Sequence, residues 1–153
     1  MRHRTTITAL AAVILVLTGC TSSNDDADAE PSSSASKLST DWMTKLENAT
    51  KADKAICNEV GDEACAEHLT DIALVVTDVE LAIDEAGGLD AYPRSMKQID
   101  QINEAVDAYT EHECLGDENA GISGSPCPDD ARTIMTGGAA LQLALETDES
   151  KAG

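Results

Sequence analysis

Cys57, Cys65, Cys114 and Cys127, with His68 and His112, are the side chains in this sequence best equipped for chemistry. Thiols cross-link, bind soft metal ions or attack as nucleophiles, and the spacing decides among these. Cys65 and His68 have the separation of a metal-binding pair, and His112 with Cys114 would complete a zinc site of two cysteines and two histidines. An even set of thiols argues instead for cross-links. Cys57 and Cys65 stand four residues either side of Gly61, while Cys114 and Cys127 bracket a stretch rich in Gly, Ser and Asp. Two disulfides are therefore expected, Cys57 to Cys65 and Cys114 to Cys127, and no metal. Closing the second loop would remove roughly 3 kcal/mol of unfolded-state entropy.

Other chemistries lack their residues. The run from Asp117 suggests a calcium loop, but Ile122 stands where that loop needs glycine and Pro128 where it needs a bidentate glutamate. Redox exchange would need a C-x-x-C pair, phosphate binding a glycine-rich loop, and a hydrolase a nucleophile elbow; none is present. The residues three before His68 and His112 are Cys65 and Tyr109, so the Glu-x-x-His pairs of di-iron bundles are missing too. Neither an enzyme nor a cofactor is expected.

The fifth cysteine belongs to the start of the chain. Arg2, His3 and Arg4 precede an apolar run from Ile7 to Leu17, and small residues then lead to Cys20, the order of a secretory signal. The run is well short of the roughly 20 residues a membrane span needs, so it is expected to be cleaved and lost. Leu17, Thr18, Gly19 and Cys20 resemble the lipobox of bacterial lipoproteins, and the resemblance covers the signal segment alone. It implies cleavage before Cys20, linkage of the Cys20 sulfur to diacylglycerol, and a membrane-anchored protein facing outside the cytoplasm. Two or more acyl chains, of palmitate length, hold a protein stably where one gives only marginal binding. In envelopes with two membranes the following residue influences sorting in this family; here it is Thr21, where aspartate would favour inner-membrane retention.

Charge narrows the partners. The chain has 10 Lys and Arg against 29 Asp and Glu, a formal net charge of −19, and loss of Arg2 and Arg4 lowers it by two more units. Such a surface repels phosphate backbones and anionic headgroups, so direct binding to nucleic acid is excluded as an expectation. With no Phe, one Trp and two Tyr, base stacking and sugar binding lack their usual platforms.

These residues need elements to hold them. Residues 20–38 are Ser-, Asp- and Ala-rich with no large apolar residue before Leu38, and read as a flexible tether spanning about 25 Å. From Asp41 to Val60, Met43, Leu46, Ile56 and Val60 recur at helical spacing behind the candidate caps Ser39, Thr40 and Asp41, which predicts a first helix. Gly61 and Asp62 would end it and cap the next with almost no loop. Cys65, Leu69, Ile72, Val76, Val79, Ile83 and Ala86 form a heptad seam that ends at Gly87 and Gly88. Leu74, Val75 and Leu81 widen its apolar face, as a helix with two neighbours requires. Pro93 opens a third helix through Tyr92, Met96, Ile99, Ile102, Val106 and Tyr109 to about His112. Asp129 or Asp130 caps a fourth, whose Ile134, Met135, Leu141 and Leu145 face inward, and Gly137 and Gly138 read as close packing or a kink.

The expected architecture is all-α: an up-down-up-down four-helix bundle over residues 39–148, stapled by two disulfides, with 149–153 as a disordered tail. Met43, Met96 and Met135 fall on inward stripes, and Trp42 is placed to plug the membrane-proximal end. The functional expectation is a non-catalytic interaction module that binds an envelope or exported protein. A small-ligand or cation carrier is the alternative, with Cys65, His68, His112 and Cys114 as its metal candidates, and a phage-exclusion or defence lipoprotein is the third reading.

Overall fold

A computed structural model describes residues 37–51 and 55–152. The expected signal peptide, lipidation site Cys20 and nearly all of the expected tether lie outside these residues. The described chain is helix and turn, with no strand: α1 (Leu38–Thr50), α2 (Glu63–Glu85), α3 (Gly88–Ala91), α4 (Pro93–Glu111) and α5 (Cys127–Ala152). α5 packs along α4 and α1, and α2 packs against α1, α4 and α5.

The heptad seam of α2 forms the spine of the core. Cys65, Leu69, Ile72, Val76, Val79 and Ile83 are all buried, against Ile99, Ile102 and Tyr109 from α4 and Ile134, Leu141 and Leu145 from α5. Val75 packs half-buried beside them, but Leu74 and Leu81 are 61% and 60% exposed, so they do not widen the packed face as their hydrophobicity implied. Met96 and Met135 pack against the core from its margin, as does Trp42, whose ring lies under the Lys45 ammonium at 3.8 Å. Met43 is half-buried and stands outside this cluster.

Several boundaries differ from the pattern in the sequence. α1 stops at Thr50 rather than Val60. The Thr50 hydroxyl turns back to the Leu46 carbonyl at 2.8 Å, and Lys51 leaves the helical region at φ −83°, ψ 77°. Farther on, turns at Ala55–Asn58 and Glu59–Asp62 bring Cys57 within 4.8 Å, Cα to Cα, of Cys65. Apolar spacing at Ile56 and Val60 thus marks packing without helix. The short α3 follows Gly87, whose φ of 119° is a left-handed value that glycine adopts without strain.

α5 begins at Cys127, so Asp129 and Asp130 occupy its first turn instead of capping it. Its other end corrects the expected tail: the helix continues through Ala152, and its last turns bind two other helices. Asp148, 3% exposed, accepts hydrogen bonds from the backbone N–H groups of Arg94 and Ser95 at 3.0 and 2.9 Å and from the Ser95 hydroxyl at 2.9 Å. Glu149 accepts from the Ser39 N–H at 3.0 Å and from the Ser39 hydroxyl. Ser39 was expected to cap α1 locally; it lies inside the first turn, and a distant carboxylate supplies the acceptor. Carboxylates at a helix C-terminus are unfavourable to that helix's dipole, but these two sit at the positive ends of α4 and α1.

Candidate functional site

The sulfurs pair as their spacing implied. Cys57 bonds Cys65 and Cys114 bonds Cys127. Cys65 and Cys114 therefore have no thiolate to offer, and the proposed ligand set of Cys65, His68, His112 and Cys114 is dismantled as a zinc site. His112, just past α4, pairs instead with Asp130 in the first turn of α5, Nδ1 to Oδ2 at 2.7 Å. The Cys114 sulfur lies close to that pair, already oxidised. His68 is half-buried on α2.

Two loops meet beside the bridges. The Gly116 N–H donates to the Gly61 carbonyl at 2.8 Å, and a Cβ at Gly61 would collide with the Asp117 carbonyl oxygen. Gly61 is thus required for loop contact, a role different from the helix stop its position suggested. The Tyr109 hydroxyl donates to the buried Val60 carbonyl at 2.6 Å and ties α4 to the same turn. Burial raises the Tyr109 phenol above its ordinary pKa. Asp117 accepts from the Asn119 N–H at 2.9 Å, a local turn rather than a calcium loop. Glu59, Asp62, Asp117 and Glu118 border a polar hollow between the two loops.

An apolar concavity lies between α2 and α4. It is a surface groove of about 300 Å³. Small residues account for the space: α2 lines it with Ala66, Thr70 and Ala73, and α4 with Val106. Leu69 and Ile134 form its floor, and Leu115, 58% exposed, stands at its mouth.

Glu113 lines the same groove in a left-handed backbone conformation, φ 52°. The end of α4 explains this. The Glu113 N–H donates to the Thr110 carbonyl and the Cys114 N–H to the Tyr109 carbonyl, the paired bonds of a Schellman cap. That cap places its left-handed residue where glycine is ordinarily found, and here it is glutamate.

Along one side run Glu63, Glu67 and Asp71, which border a shallower depression continuous with the groove through Ala66, Thr70 and Leu115. No Lys or Arg occurs between Lys51 and Arg94 except Lys54, nor from Gln98 through Ala131. The two stretches that contribute most of the groove's lining, 66–73 and 106–115, therefore carry no Lys or Arg. Sequence reasoning identified Leu69, Val106 and Ile134 only as core positions; the signal for a groove was the row of small residues at Ala66, Thr70 and Ala73 beside the seam. Comparison with protein-family models, curated proteins and solved structures finds no match to this chain.

Proposed function

We propose that the chain is a lipid-anchored, extracytoplasmic, non-catalytic interaction module whose partner is another envelope or exported protein. Cys20 is the lipid-bearing residue and the segment after it the tether. The observation that carries the reading is the pair of disulfides closing a helical domain, because such bridges persist in oxidising compartments and agree with the signal and lipobox pattern. The acidic surface suits a basic partner.

In this reading α1, α2, α4 and α5 form an up-down-up-down bundle. Contacts of Asp148 and Glu149 with the starts of α4 and α1 support it, as do the His112 contact with Asp130 and the Tyr109 contact with Val60. Both disulfides then lie at the end opposite the start of α1 and face away from the membrane.

Two measurements test the proposal. Intact mass spectrometry of protein from its native membrane should show a mature chain starting at Cys20 with diacylglycerol, and a gain of four hydrogens on reduction. Cross-linking in intact cells should recover one partner in stoichiometric yield. An unlipidated species, or no specific cross-link, overturns the anchored module.

A further inference from the structure

We propose that the α2–α4 groove is the docking site of that partner, and that it takes a basic segment that inserts one large apolar side chain between flanking Lys or Arg residues. The inference rests on the interaction-module reading and specifies its surface and the chemistry of its occupant.

Shape and charge lead to the same occupant. The apolar lining of Leu69, Val106 and Ile134 offers only dispersion and desolvation, which selects an aliphatic or aromatic side chain. Carboxylates stand on both sides, Glu63, Glu67 and Asp71 along α2 and Glu113 at the end of α4. An apolar slot with a row of carboxylates along α2 and a further one past the end of α4 is complementary to an apolar residue with basic neighbours, as when an amphipathic helix lays its face into a groove. A second copy of this chain is disfavoured by its own charge of −19, since it would bring acid against acid.

Glu113 adds an independent reason. Its left-handed conformation is one that glycine adopts freely and that costs a residue with a Cβ. Glycine at this position would make α4 end with less strain, yet the chain carries a carboxylate there, on the groove. Replacing it should therefore raise stability while weakening docking, a combination that a purely structural residue does not give.

The test uses the mature domain with its disulfides intact and a defined probe: a synthetic helical peptide of alternating Leu and Lys clusters. Its controls replace Leu by Ser or Lys by Glu. Calorimetric titration should show one saturable site for the Leu/Lys peptide, weakened roughly tenfold between low and physiological salt. Neither control should bind. Ala73→Leu, which fills the groove without changing charge, should abolish binding, and Ala66→Leu provides a second filling variant should the first unfold. Glu113→Gly should raise the thermal midpoint by about 4 °C and weaken the peptide several-fold.

Equal binding to the filled variants, or equal binding of the Lys/Ser peptide, would show non-specific attraction to an acidic surface and overturn the docking site. Self-association of the chain in place of peptide binding would do the same in favour of a second copy. The cellular cross-link distinguishes the two levels: a partner retained by Ala73→Leu moves the interface elsewhere and leaves the module reading standing. Peptide binding at the groove with no cellular partner removes the module reading alone.

Discussion

Asp148 serves two backbone N–H groups and a hydroxyl from a position almost closed to water. Alanine there leaves three donors at the start of α4 without their acceptor, and the expected loss is about 3 kcal/mol, read as a lower urea midpoint with an unchanged slope. Tyr109 makes a prediction about pH. Its folded pKa is raised, so folding is favoured by the proton it keeps. That contribution is complete below the unfolded value near 10 and is lost as pH rises through the higher folded value. Tyr92 behaves in the same sense through burial, then the charges of Glu149 and Asp148. Tyr109→Phe should therefore cost about 1–2 kcal/mol at neutral pH by leaving the Val60 carbonyl unpaired. The same variant should flatten, without abolishing, the fall in stability above pH 10.

Gly137 and Gly138 show how an element meets its neighbours. α5 runs unbroken through both, and added Cβ atoms would collide with Ile102 on α4 and the Thr50 methyl on α1. Close packing, one of the two readings their sequence allowed, is what occurs. Gly138→Ala should destabilise by about 1–3 kcal/mol despite alanine's better helix propensity. Thr50→Ser deletes the offending methyl and keeps the hydroxyl bond to Leu46, so the double variant should recover most of the loss in a thermal-unfolding cycle. α2 and α4 were legible because burial repeats along one continuous face: every seam residue from Cys65 to Ile83 is buried. α1 was overextended because apolar period records which residues face the core and not whether the backbone between them stays helical. Nor could local patterns reveal Ser39, Ser95 and Asp148, polar residues buried through partners 53 or more positions away. The groove left no hydrophobic signal, only the row of small residues Ala66, Thr70 and Ala73 beside the seam.

The two disulfides close loops with sequence separations of 8 and 13 residues. On the chain-entropy model they contribute about 2.5 and about 3 kcal/mol. Marginal domains hold only about 5–15 kcal/mol in total, so full reduction should lower the thermal midpoint by roughly 20 °C, and calorimetry with and without a reductant checks it. The domain is otherwise closed by its last turns. A chain emerges in order from its N-terminus at about 5–20 residues per second. The groups that satisfy the first N–H donors of α1 and α4, Glu149 and Asp148, follow those donors by 110 and 53 positions. Partial chains can therefore form helices and a heptad seam but cannot fasten the ends of α1 and α4. The ends of α1 and α4 are therefore fastened only after Asp148 and Glu149 have emerged, so a chain threaded linearly would stay pliable until that stretch of α5 had passed.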